Sequence, residues 1–215
     1  MLRLLLPALL LLPFNLSNAA GEGIGHRGTE KDEAYVLSVE AIHKEFGLDG
    51  QLEIGVFMAG YEKVIAQQPE ATMFAIADMS QPSTAKRLYV IDLKTRKLIL
   101  RTYVAHGQKT GELMATSFSN EHDSHKTSLG LYRIGARITS PKHGAALLLH
   151  GLEAELNGNA MAREVIMHGA DYVSEDFIKA NGRLGRSWGC PAVSRADMAT
   201  MIELFANGGS LYIHG

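Results

Sequence analysis

The chain contains a single cysteine, Cys190, at the end of a glycine-rich stretch, and upstream of it a short apolar run, Val165-Ile166-Met167, ends at His168. These two residue types together point to nucleophilic catalysis. A thiol attacks well only as a thiolate, and a nearby imidazole is a common means of generating one. The apolar run reads as a buried strand ending at His168, and Gly182, Gly185 and Gly189 read as a tight loop that delivers Cys190. The intervening chain is long enough for a loop and a short helix to bring the two side chains back together. Gly189 allows close approach of backbone to a substrate, and the N–H groups of Gly189 and Cys190 are candidates to receive a developing oxyanion. The ordinary alternative is that a lone Cys is a small buried apolar residue and a lone His a satisfied core residue. Ser187-Trp188-Gly189 in front of Cys190 shifts the balance to acyl transfer.

Several polar side chains are candidates to meet a substrate. His125 and Lys126 lie in a polar loop, either solvated or in contact with a substrate carboxylate. His150, at the end of an apolar strand, either packs in the core or lines a groove beside the cysteine. Arg183 and Arg186 either bind a peptide carboxylate or are solvated, and Trp188 either shapes the pocket or packs. Nine histidines invite a metal reading, with His122, His125, His143, His150 and His168 as the candidates. No His-x-x-x-His helix and no Cys pair supports it, so neither metal nor cofactor is expected.

These groups need a scaffold, and the chain supplies one. Its 215 residues, 46% apolar, suffice for one large domain with a sizeable core. A net charge of −2 gives no basic excess for nucleic acid. Residues 1–20, with Arg3, a leucine-rich run and Ser17-Asn18-Ala19, have the pattern of a cleavable export signal; the run is too short and too broken by Pro7 and Pro13 to span a bilayer stably. No later segment is long and apolar enough for a membrane span, so a periplasmic location is expected, with a free thiol that has no disulfide partner in the chain.

From 21 to 72 a small helical segment is expected, with helices over Glu30–Phe46, closed by a left-handed Gly47, and Gly50–Gln67, covering one side of the strands beyond them. From 73 to 215 the pattern becomes strands: Met73–Met79, a hairpin of Leu88–Leu93 and Leu98–Ala105, then Leu129–Ile138, Ala145–His150, Glu164–His168 and Ser210–His214. Helices are expected near Ser174–Ala180 and Ser194–Phe205; the second starts with Ser194 and Asp197 as a capping pair and carries a core stripe of Met198, Met201, Ile202 and Phe205. The fold class is therefore α+β and β-rich, a sandwich or a partly closed barrel.

His168-Gly169 followed by Ser187-Trp188-Gly189-Cys190 resembles the signature of the YkuD-like L,D-transpeptidases. His168-Gly169-Ala170-Asp171-Tyr172-Val173-Ser174 and Gly185-Arg186-Ser187-Trp188-Gly189-Cys190-Pro191 are similar in particular to the murein L,D-transpeptidase catalytic domain family. Segments in the same order from Asp78 onward strengthen the likeness, among them Arg87–Leu93, Val104–Gly107, Ser124–Gly130 and Lys142-His143-Gly144. Trp188 stands where the wider family has His, and Pro191-Ala192 where it has an aliphatic residue followed by Arg or Asn.

The resemblance implies a YkuD-like fold and an exported cysteine transpeptidase acting on peptidoglycan stem peptides. Cys190 would be its nucleophile and His168 its base and acid, with the Gly169 carbonyl orienting the ring and Ser187 supporting the loop or the thiolate. Trp188, Arg186, His150, Tyr172 and His125 are the candidate substrate contacts. Two alternatives stay open: an L,D-carboxypeptidase using the same site, and a non-catalytic cell-wall-binding module with Cys190 buried. The sequence leaves the oligomeric state undetermined.

Overall fold

A computed structural model describes residues 30–215. The export signal read over 1–20 and the start of the expected helical segment lie outside the described residues. Strands are the dominant element. They are β1 (Met73–Asp78), β2 (Leu88–Asp92), β3 (Lys97–Thr102), β4 (Gly130–Ser140), β5 (Gly144–Gly151), β6 (Ile166–Gly169), β7 (Ala192–Val193) and β8 (Gly209–His214). They form a single eight-stranded sheet in the order β3-β2-β1-β8-β4-β5-β6-β7. Beyond β3 the chain reaches the opposite edge, where Ala105 and Ala192 exchange backbone hydrogen bonds of 2.8 and 3.3 Å. The sheet thus nearly closes on itself, which selects the partly closed barrel over the sandwich.

The apolar runs that marked the strands lack alternation because both faces of the central strands are covered. Along β1, Met73, Ala75 and Ala77 face the barrel interior, whereas Phe74 and Ile76 face the two N-terminal helices. Tyr132 and Ile134 of β4 and Leu211 and Ile213 of β8 join the interior, with Leu131 and Tyr212 on the helix side.

Helices α1 (Glu30–Glu45) and α2 (Ile54–Gln67) form that cover. Gly47 follows α1 with φ 69°, the left-handed conformation expected of it. α2 begins four residues later than its pattern suggested, because Gly50 is also left-handed (φ 67°) and the Glu53 carboxylate caps the helix at the Gly55 N–H, 3.0 Å away. α2 packs tightly on the sheet at Gly60, where a Cβ would lie 2.6 Å from the Tyr212 ring and 2.8 Å from that of Phe74. Lys63 of α2 also pairs with Glu153, whose other oxygen accepts the Leu131 N–H at 2.6 Å.

α3 (Ala154–Asn157) and β7 were not legible in the sequence, whereas α4 (Glu175–Asn181) and α5 (Arg195–Leu204) lie where expected. The Ser194 hydroxyl accepts the Asp197 N–H at 3.0 Å, and Met198, Met201 and Phe205 enter the barrel core. Among the described residues no helix is long and apolar enough to cross a membrane.

Phe57 of α2 is fully buried among Phe46, Tyr61 and His43. Phe57→Ala is expected to lower the unfolding free energy by about 3–5 kcal/mol in urea titration; a loss under about 1 kcal/mol would mean that the helical cover is not part of the cooperative fold.

Candidate active site

Cys190 and His168 reach one site through the pairing of β6 with β7. The two strands run parallel with His168 opposite Ala192, and the His168 N–H donates to the Pro191 carbonyl at 3.4 Å. α4 lies between them in the chain, so a short helix does return the cysteine loop to the histidine strand. Both side chains line a cleft of about 710 Å³ together with Lys142, Arg163, Tyr172 and Trp188.

The cysteine loop is fixed by a small set of bonds. Ser187 donates its N–H to the His106 carbonyl (3.0 Å), and its own carbonyl accepts from Gln108 (2.8 Å). Its hydroxyl donates to the Cys190 carbonyl (2.6 Å) and accepts the Gly189 N–H (3.0 Å). Ser187 is thus the internal brace of the loop. Gly189 has φ 127°, and a Cβ there would lie 2.8 Å from the Lys126 carbonyl, so only glycine fits. Its carbonyl accepts from Thr127 Oγ1 (3.2 Å), which itself accepts the Gly107 N–H (3.0 Å).

Of the two N–H groups expected to face an oxyanion, that of Gly189 is corrected, because it donates to Ser187 Oγ at 3.0 Å. The N–H groups that stabilise charge on the sulfur are those of Ile166 and of Cys190 itself.

His168 is buried, and its Nδ1 lies 3.2 Å from the Gly169 carbonyl. A carbonyl only accepts, so Nδ1 carries the proton and Nε2 keeps its lone pair. Burial is the main reason the imidazole is pushed down to about 4. The Gly169 contact opposes that shift, and the charges of His143, Lys142 and Arg195 reinforce it.

Burial likewise pushes the Cys190 thiol up, against the Ile166 N–H, Arg163 and Lys142, although part of the residue stays open to the cleft. Both shifts disfavour a resting thiolate–imidazolium pair. The thiol's own hydrogen bond goes to the Glu164 carbonyl at 4.0 Å.

The remaining candidates divide. Tyr172 lines the cleft, its phenol raised by burial and by the sulfur's charge, and its ring lies over Gly185. Trp188 is 64% exposed, stacked on His125 at 5.0 Å, with the Lys142 ammonium 4.3 Å from its ring centroid. His125 therefore supports the wall from behind, its Nδ1 accepting from the Gln108 amide at 2.8 Å. Arg186 borders the cleft but binds Glu112 Oε1 (2.6 Å) and the carbonyls of Gln108 and Gly111, while Arg183 takes the other oxygen of Glu112 (2.9 Å). Both guanidiniums thus clamp the 108–112 loop. His150 is a correction: its ring lies over Gly135 of β4, beside Arg133, outside the cleft. Its strand continues past Leu148, the last β5 residue at the cleft.

Lys142, His143 and Arg163 also line the cleft, a placement that neither the family-like Lys142-His143-Gly144 segment nor any spacing around Arg163 marks in the sequence. Lys142 and His143 sit on the β4–β5 turn, and Arg163 precedes β6. Arg163 donates to the carbonyls of Ser119 (2.9 Å) and Lys126 (2.6 Å) and to the hydroxyls of Ser124 and Ser128, holding the 119–128 loop beside the sulfur. A buried Arg87 works further back, donating to Val104 and Gln81 carbonyls and to His106 Nδ1 (2.7 Å). Burial, with the Arg87 charge, pushes His106 down to about 4, so it accepts on Nδ1 and donates from Nε2 to Gly111 (3.2 Å). Among the described residues no three His, Cys, Asp or Glu side chains gather as a metal site.

Residues 51–214 match the L,D-transpeptidase catalytic domain family. The chain belongs to that family. An L,D-transpeptidase from Mycobacterium smegmatis is similar in structure, with 13% identity, a TM-score of 0.43, and coverage of 67% of this chain and 59% of that one. An L,D-transpeptidase (Yku) from Stackebrandtia nassauensis gives 16%, 0.41, 83% and 76%. The helical cell shape determining protein Pgp2 from Campylobacter jejuni gives 14%, 0.41, 66% and 47%. The chain thus spans less than two thirds of the Mycobacterium and Campylobacter chains, and the assignment rests on the family match. No curated protein matches it. As an L,D-transpeptidase-family domain, it has the β-rich fold expected from the sequence, in the nearly closed form of the two left open there.

His106 and His168 are held neutral, so protonation favours the unfolded chain. Their stabilisation is complete above an ordinary imidazole value of about 6.5 and declines as pH falls toward 4. Urea unfolding should show each costing up to roughly 2 kcal/mol by about pH 5; an unfolding midpoint that stays constant over this window would contradict the burial of both as neutral rings.

Proposed function

We propose that the protein is an exported, periplasmic cysteine L,D-transpeptidase acting on peptidoglycan stem peptides. The observation that carries this reading is the convergence of Cys190 and His168 on one cleft, with the imidazole's free Nε2 fixed by the Nδ1–Gly169 bond. Cys190 Sγ attacks the carbonyl of the stem residue that precedes the terminal D-amino acid, and Nε2 takes the thiol proton during the attack. The tetrahedral intermediate collapses when Nε2 returns that proton to the leaving amine, giving a thioester. An acceptor amine, deprotonated by Nε2, then attacks the thioester, forms the new amide and releases the thiol.

A neutral thiol–imidazole pair suits this general-base route, since the proton moves only as the carbon–sulfur bond forms. Lys142 and Arg163 place positive charge near the sulfur and offset negative charge developing there. By family likeness the donor is a tetrapeptide stem and diaminopimelate supplies both joined residues.

Incubating the purified protein with disaccharide–tetrapeptides should yield cross-linked dimers, and a carbapenem should leave one adduct on Cys190 by mass spectrometry. Cys190→Ala should lose both, activity falling by about 10⁴-fold or more, with stability changed by less than about 1 kcal/mol. Shortened stems without dimers would identify a carboxypeptidase. An inert thiol together with unaltered stems would leave a cell-wall-binding module and overturn the enzymatic reading.

A further inference from the structure

One residue at the site has no task in the thiol–imidazole chemistry. His143, at the tip of the β4–β5 turn, lays its ring on that of His168 with centroids 3.7 Å apart and planes 25° from parallel. The turn is anchored on both sides of this contact. The His143 N–H donates to Ser140 Oγ at 3.3 Å, and the neighbouring Lys142 rests on the Trp188 ring, itself stacked on His125. The His143 ring also stands between two spaces. It lines the cleft that holds Cys190 and a second cavity of about 380 Å³ bounded by Arg137, Arg195 and Met198. His168 lines only the first of these.

We propose that His143 is a positioning residue for His168: its ring closes the open face of the base and holds it in the orientation set by the Gly169 carbonyl. This rests on reading His168 as the base. One edge of the His168 ring is fixed by the Nδ1 contact, and β6 holds its backbone, but a single hydrogen bond of 3.2 Å leaves rotation about χ2 weakly opposed. A stacked aromatic partner removes that freedom without occupying Nε2. It also keeps water in the second cavity from solvating the ring, so the imidazole stays neutral.

The charged and titratable groups around His168 come from every element packed there. Lys142 and His143 lie on the turn, Arg137 on β4, Arg195 and Glu203 on α5, Arg163 and Glu164 ahead of β6, Tyr172 after it, and Arg186 and Cys190 on the cysteine loop. Arg195 is paired with Asp171 at 2.6 Å. Positive groups outnumber the negative ones at this face, which adds to the cost of protonating either ring.

The test combines imidazole NMR titration of the full chain with the pH dependence of Cys190 alkylation. His143→Ala should raise the His168 titration by about one pH unit toward the ordinary imidazole range, with the acid limb of alkylation moving by the same amount. His143→Phe, which keeps a stacked ring that cannot titrate, should stay within about a third of that shift. A role limited to bracing the turn would lower stability in His143→Ala without moving either titration. An unmoved His168 titration in a folded His143→Ala, or equal shifts in both variants, would overturn the proposal. His168→Gln separates the two claims: if it abolishes fast alkylation while His143→Ala leaves His168 unshifted, the base stands and the positioning role falls. If it leaves alkylation unchanged, the base assignment falls whatever His143 does.

Discussion

Everything at the site depends on one backbone seam, in which residues 187–193 bond to β6 on one side and to the 105–108 segment on the other. The pairing of His168 with Ala192 sets the histidine beside the cysteine loop, and the Ala105–Ala192 bridge closes the barrel at the same point. Closure and the site therefore share one backbone segment. The seam tolerates no bulk. Ala105 and Ala192 are fully buried, a Cβ on Gly107 would come within 2.6 Å of the His125 carbonyl, and Gly189 sits against the Lys126 carbonyl. This explains why alanine follows Pro191. A longer side chain at position 192 would have to displace Ala105, on which barrel closure depends.

The polar groups behind the seam follow the same logic. Arg87 is wholly buried, and burial brings its guanidinium down to about 10 with the Asp78 charge opposing. It remains cationic at neutral pH, and its donors are taken up by two carbonyls and His106 Nδ1, so no bare charge is left in the core. The residue it immobilises, His106, supplies the carbonyl that accepts from Ser187. A path of hydrogen bonds thus runs from the core to the brace of the cysteine loop.

The sequence revealed the strands well because each central strand is apolar on both faces, and it revealed α5 because Ser194 and the methionine stripe mark its start and its face. It also pointed to Cys190 and His168, whose residue types carry their chemistry with them. What it could not reveal was anything created by pairing alone. β7 has two residues and exists only as a seam partner. α3 is four residues long, and its Asn157 is recognisable only through its bonds to Leu129 and Leu131. His150 was misplaced because the strand end nearest the site is Ala146, opposite His168, not the histidine several residues on. The family-like Lys142-His143-Gly144 segment and Arg163 carry no mark of what their side chains touch, so their place at the cleft was not legible.

At the centre, burial raises the Cys190 thiol and lowers the His168 imidazole, so both line the cleft in their neutral forms, with the His168 proton on Nδ1 toward the Gly169 carbonyl. The ultraviolet absorbance of the Cys190 thiolate, titrated in the full protein and in His168→Gln, tests this directly. No thiolate signal is expected at neutral pH in either protein, with its appearance only above the ordinary thiol range. A thiolate present at neutral pH in the native protein and lost in His168→Gln would contradict the neutral pair.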